Sequence, residues 1–216
     1  NSAGKFVDAH HILLLLIHIL HTYKKMTGKV VIAFSVSPKI KKMCEAYGIE
    51  VQVTPIGFKH IAEIMIKDDV LVGGEESGGI SIKGHIPEGD GILMGLLLLE
   101  VMAYEQAPLH EIIADLQQQF GPSCYARNDV RLTKQLPKKE IVKILADNAP
   151  SHLGGEEVVR VNTMDGIKFY RADNSWLLIR PSGTEPVLRI YAEARSNEGV
   201  AALLEEGGKL GQTVLS

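Results

Sequence analysis

The sequence predicts an α/β protein in two parts: a three-layer α/β/α domain on a mainly parallel sheet, then an α+β domain on an antiparallel sheet. Three observations carry that reading. Short β-branched runs alternate with helical stretches of roughly ten residues early in the chain, the rhythm of βαβ crossovers. A turn-rich break, Gly121–Ser123, then interrupts the helices. Beyond it, apolar strands follow one another across the tight turns Met164–Gly166 and Ala172–Asn174, as hairpins do. The predicted domains are 1–120 and 121–216.

From the N-terminus, Ile12, Leu15, Leu16, Ile19, Leu20 and Tyr23 recur at helical spacing within Val7–Thr27, with Asp8 placed to cap the helix and Gly28 to stop it. Its apolar run, Ile12–Leu20, falls well short of the roughly 20 residues that span a bilayer, so it reads as a buried helix. Val30–Phe34, Glu50–Thr54 and Val70–Val72 read as strands, with helices Pro38–Tyr47 and Gly57–Lys67 between them. Asp90 caps a long helix reaching about Gln106, where Ile92, Leu93, Leu96, Leu97, Leu99 and Met102 make a face broad enough to predict a buried element. Pro108 opens another helix, Leu109–Phe120. After the break come a strand at Tyr125–Thr133, a helix at Lys138–Asn148 opened by Pro137, strands near Val158–Thr163, Ile167–Arg171, Trp176–Arg180 and Val187–Ala194, and a closing helix.

Composition narrows the function. With 216 residues, 45% hydrophobic and 23% charged, at a net charge of −3, the chain lacks the basic excess of a nucleic-acid binder. Any anion selectivity must be local. Cys44 and Cys124 are far apart and form no CxxC pair, which predicts a reducing, cytoplasmic setting without a metal site or disulfide framework. His10, His11, His18 and His21 crowd the first helix, but no Cys, Asp or Glu completes a ligand set in helical register. Lys24–Lys25 and Lys39–Lys42 read as solvated faces, and Met43 and Met94 as core filler.

Chemistry concentrates in two glycine-bearing loops. In Leu177–Leu188, LLIRPSGTEPVL, one strand runs into a turn and resumes as another. Arg180 offers a planar fork for phosphate oxygens, Ser182 and Thr184 offer hydroxyls, and backbone N–H groups around Gly183 can converge on an anion. Arg189 adds a second cation from the outgoing strand. The bland alternative is a hairpin whose Arg pairs with Glu185 or solvent. In GGEESGG, Gly73–Gly79, four glycines free the backbone to curve around a small molecule, while Glu75, Glu76 and Ser77 suit vicinal sugar hydroxyls. Composition alone leaves that loop evenly balanced between a ligand loop and an acidic surface turn.

RPSGTEPVLRIYAEA closely resembles the phosphate-binding loop of the last domain of α-D-phosphohexomutases, the phosphoglucomutase and phosphomannomutase superfamily. VLVGGEESGGISIKGHIPEGDGI resembles the sugar-recognition loop of that family's third domain, and TPIGFKHI its lysine-bearing loop. The resemblance implies that Glu75 and Ser77, with Gly74 and Glu76, hold sugar hydroxyls. It further implies that Lys59, Arg180, Ser182, Gly183, Thr184 and Arg189 hold phosphate. Some branches carry a histidine at the position matching Gly79; here His85 lies six residues on. The usual Arg-Asp-Gly is Gly89-Asp90-Gly91. The last domain is expected to have a fold similar to the TATA-binding protein's, without its DNA function.

The resemblance also implies an upstream half that this sequence lacks, with a phosphoserine domain and a Mg²⁺-binding domain as partners in the same chain. On that reading the 216 residues are an excised fragment that binds hexose phosphate weakly without turning it over, and the resemblance further implies a glucose 1,6-bisphosphate-type activator. No nucleic-acid or membrane partner is expected. The rivals are a non-catalytic sugar-phosphate-binding protein and a structural interaction module.

Overall fold

The computed structural model describes residues 4, 6–132, 137–182 and 185–214. They form two compact units, Asn1–Gly121 and Pro122–Ser216.

In the first unit α1 (Ala9–Thr22) leads into β1 (Lys29–Ala33), α2 (Lys39–Ala46), β2 (Val51–Thr54), α3 (Phe58–Met65), β3 (Val70–Gly74) and β4 (Ile80–Ile82), followed by α4 (Gly91–Glu105) and α5 (Leu109–Phe120). The sheet order is β2-β1-β3-β4, with β2 and β3 parallel to β1 and β4 antiparallel to β3. The chain therefore leaves β1 in one direction and returns to its other side. Right-handed crossovers in opposite directions put successive helices on opposite faces. Two adjacent glycines record those faces: a Cβ on Gly73 would lie 2.5 Å from Ile61 of α3, and one on Gly74 would lie 2.4 Å from Leu13 of α1. Both helices lie too close to β3 for a side chain between them.

Asp8 caps α1 as its sequence position predicts, its Oδ1 accepting from the His11 N–H at 3.0 Å and lying 2.7 Å from His11 Nδ1. The helix stops at Thr22 rather than running to Gly28: the Lys24 N–H donates back to the Ile19 carbonyl, and Lys25 takes a φ of 54°. Leu13 to Ile17 are all buried, because α1 packs against β3, α2, α4 and α5. Cys44 and Met43 join the same core, and burial pushes the Cys44 thiol up to about 12. Among the described residues no single helix is long and apolar enough to cross a membrane.

Burial works against ionisation of Asp8, but its hydrogen bonds and attraction to His11 outweigh that, lowering its pKa from 3.8 to about 2. The folded value lies below the unfolded one, so this stabilisation is complete above pH 4 and vanishes as pH falls through about 2. Urea titrations of wild type and Asp8→Asn should differ by roughly 1–2 kcal/mol at pH 6 and converge by pH 2. A pH-independent difference would count against the His11 pairing.

Contrary to the sequence pattern, α4 is not buried along its whole apolar face. Met94, Leu97 and Val101 are buried, but Ile92 is 81%, Leu96 59% and Leu99 62% exposed. The helix is apolar nearly all round, whereas α1 and α5 cover only part of its circumference. A broad apolar face does not tell which part is covered.

The second unit comprises β5 (Cys124–Arg131), α6 (Lys138–Asp147), β6 (His152–Leu153), β7 (Glu156–Asn162), β8 (Ile167–Arg171), β9 (Trp176–Pro181), β10 (Val187–Ala194) and α7 (Asn197–Gln212). Its antiparallel sheet runs β5-β10-β9-β8-β7-β6. Alternation divides the faces: Leu177 and Ile179 of β9 and Leu188 and Ile190 of β10 pack with Ile141 and Leu145 of α6 and Leu203 of α7. Trp176, Leu178 and Arg180 share the other face, where the Lys168 ammonium sits 3.6 Å from the centre of the Trp176 ring.

Candidate functional site

In the first unit, register levels Ala33 with Thr54 and Ile32 with Gly74, so the carboxyl ends of β1, β2 and β3 share one edge of the sheet. Strand order reverses between β1 and β3, and ligands of open α/β sheets bind beyond the strand ends at that point. Gly73–Gly79 occupies this position. Its turn is tied internally: the Glu75 N–H donates to the Gly79 carbonyl at 3.0 Å, the Gly78 N–H to the Glu75 carbonyl at 3.2 Å, and Ser77 Oγ to Glu75 Oε1 at 2.6 Å. Glu75 Oε2 is buried with no hydrogen-bond partner among the described residues, whereas Ser77 is exposed. Ser35, just past β1, donates to the Glu76 carboxylate.

Phe58 starts α3 against this loop, since a Cβ on Gly79 would lie 3.1 Å from its ring and 3.1 Å from Glu75 Oε1. Lys59, next along, is exposed in the first turn of α3, at the same sheet edge. His85 Nε2 is 3.1 Å from Asp90 Oδ2, beside the cap of α4. The Leu93 N–H donates to Asp90 at 2.9 Å and holds that carboxyl below the usual carboxylate range.

In the second unit, Arg180 and Arg189 stand directly opposite each other on β9 and β10. Two like charges in that position repel unless a counter-charge joins them. Arg180 has one: its Nε donates at 3.1 Å to Asp165, a carboxylate only 5% exposed, whose other oxygen takes the Lys138 ammonium. The expected bland partner of an arginine here, Glu185, lies 3.7 Å from Arg189, and Arg189 Nε is buried with no hydrogen-bond partner among the described residues. Ser182 follows Arg180 after Pro181, its N–H donating to the Val187 carbonyl at 2.8 Å. Gly183 and Thr184 lie outside the described residues.

Asp165, Lys138 and Ser35 escaped sequence reasoning. Asp165-Gly166 reads as hairpin punctuation, and only the folded hairpin brings its carboxylate to Arg180. Among the described residues no three His, Cys, Asp or Glu side chains gather to hold a metal ion.

A three-layer α/β unit with an acidic loop at its switch point is thus followed by an antiparallel unit in which β9 and β10 set two arginines opposite each other. The family profile for phosphoglucomutase/phosphomannomutase α/β/α domain III matches residues 8–120, and that for the C-terminal domain matches 130–207, so the chain belongs to the phosphoglucomutase/phosphomannomutase family. It is 34% identical over 196 residues to the phosphoglucosamine mutase of Methanocaldococcus jannaschii, covering 87% of this chain and 40% of the relative. It is 29% identical over 185 residues to the phosphoglucomutase/phosphomannomutase of Thermococcus kodakarensis, covering 85% and 38%. Among solved structures, a Thermus thermophilus protein described as a phosphomannomutase matches with a TM-score of 0.77 at 35% identity, covering 95% of this chain and 41% of that one. The chain thus spans about two fifths of the length of these relatives.

Proposed function

We propose that this chain supplies the sugar- and phosphate-binding part of a phosphohexomutase, which moves a phosphoryl group between the 1- and 6-oxygens of a hexose. The observation that carries the phosphate half is the opposed pair Arg180 and Arg189 beside RPSGTEP, an arrangement a shared anion would relieve. Arg180, Ser182, Gly183, Thr184 and Arg189 would hold the phosphate that is not being transferred, and Lys59 would contact substrate phosphate. Glu75 and Ser77, with Gly74 and Glu76, would orient the ring. Such transfer depends on positioning and charge stabilisation, which this division of labour provides.

A bisphosphorylated intermediate has to turn over between half-reactions, and a cradle that grips either phosphate suits that exchange. The upstream phosphoserine and Mg²⁺ domains are proposed partners in the parent protein. Among the described residues no cluster of His, Cys, Asp or Glu side chains fits a Mg²⁺ site.

Titrating the chain with glucose 1,6-bisphosphate, followed by calorimetry and Trp176 fluorescence, tests the reading. Saturable binding, weakened about tenfold or more in Arg180→Ala, is expected, because a charge-assisted hydrogen bond contributes roughly 1.5–3 kcal/mol. Unchanged affinity in the folded variant removes the cradle from the proposal. Glucosamine phosphates belong beside glucose and mannose phosphates in the same titration, given the names of the relatives.

A further inference from the structure

Ser35 is fully buried in the connection between β1 and α2. The Phe34 N–H extends the β1–β2 ladder by donating to the Thr54 carbonyl at 2.9 Å, and the Val36 N–H closes a turn on the Ala33 carbonyl at 3.0 Å. These bonds fix the backbone on either side of Ser35. Its hydroxyl is consequently aimed by the sheet itself, and it donates to the Glu76 carboxylate in the loop that follows β3. A buried hydroxyl needs a partner, and a carboxylate makes the stronger kind of hydrogen bond.

The location gives this bond its consequence. The chain leaves β1 for α2 and leaves β3 for the ligand loop, so a crevice opens between the two strand ends. Ser35 and Glu76 bridge it. The Glu75 N–H to Gly79 carbonyl bond continues the β3–β4 pairing, in which Gly74 faces Ile80, so that hairpin carries the turn, where Gly78 has a φ of 99°. The Ser35 link adds a side-chain tie from the end of β1 to Glu76 in the turn. Loop ordering completed before the ligand arrives does not have to be paid on binding.

We propose that Ser35 is a positioning residue for sugar recognition: through Glu76 it steadies the Glu75–Gly79 turn in the orientation that meets the hexose. This rests on the sugar-phosphate reading above and extends it to a residue outside both loops.

Calorimetry on the whole chain separates the possibilities, using glucose 1,6-bisphosphate and inorganic phosphate as probes. Ser35→Ala should weaken the sugar bisphosphate by roughly fivefold to tenfold, the scale of one ordinary net hydrogen bond, and leave inorganic phosphate affinity unchanged. Ser35→Thr, which keeps the hydroxyl, should restore most of the loss. In a Glu76→Ala background, Ser35→Ala should have no further effect. Equal bisphosphate affinity in wild type and Ser35→Ala overturns the proposal, as does a parallel loss for inorganic phosphate, or a Ser35→Ala effect that persists without Glu76. If wild type binds neither probe, the site reading fails first and this inference falls with it; if wild type binds and Ser35→Ala matches it, only the inference fails.

Discussion

Replacing Gly166 with alanine should destabilise the protein by about 3 kcal/mol or more, the sum of left-handed backbone strain and a steric clash that cannot relax. Gly166 closes the β7–β8 hairpin with a φ of 99°, a conformation that side-chain-bearing residues rarely adopt. Its added Cβ would lie 2.6 Å from the Ile179 carbonyl oxygen and 3.0 Å from Arg180 Cα. Those atoms belong to β9, paired on both sides, and no rotamer change moves them away. Gly155→Ala is the matched control, because Gly155 also has a positive φ, 86°, while nothing lies within 4 Å of its Cβ position. Urea unfolding should give Gly155→Ala a loss near 1 kcal/mol and Gly166→Ala a loss about three times larger. Equal losses would mean that the hairpin tip does not press on β9. Close packing at this point also brings Asp165 to Arg180, so Gly166→Ala should weaken inorganic phosphate binding as well.

How much of this was legible in the sequence depended on the range of the interaction. The βαβ rhythm and the hairpins are local signals, and they located the parallel and antiparallel sheets. The two-residue strand β6 and the three-residue β4 were too short to register as periodic. Helix α1 ended five residues early because the left-handed Lys25 stopped it, where sequence preference favours Gly28. For α4 the pattern predicted burial of Ile92, Leu96 and Leu99, but which face is covered depends on neighbours remote in sequence. The loops followed the same rule: Arg180 and Glu75 could be singled out from adjacent residues, whereas their supports could not. Asp165 lies fifteen positions from Arg180, and Ser35 forty-one from Glu76. Pairing at those separations comes from strand register, and the opposition of Arg180 to Arg189 likewise becomes visible only once β9 and β10 are aligned.

Asp165→Ala should cost about 3 kcal/mol, and the loss should shrink with added salt. The Asp165 carboxylate is 5% exposed and serves two cations, Lys138 and Arg180, the latter 16% exposed. Taking it away leaves a largely buried guanidinium facing Arg189 with its counter-charge gone, and breaking such a pair from one side is typically more costly than the pair's net contribution. Lys138, at 39% exposure, can turn to water, so most of the penalty falls on Arg180. The remaining repulsion between Arg180 and Arg189 is electrostatic; raising salt from about 0.05 M to 1 M shortens the screening length to roughly 3 Å and should recover part of the loss. Inorganic phosphate should do so at far lower concentration than chloride, since an anion bound between the arginines stabilises the folded state by mass action. Thermal melts of wild type and Asp165→Ala in matched chloride and phosphate series distinguish these terms. A deficit that ignores both anions would assign Asp165 to hairpin packing alone, and a deficit relieved equally by both would leave general screening without a phosphate site.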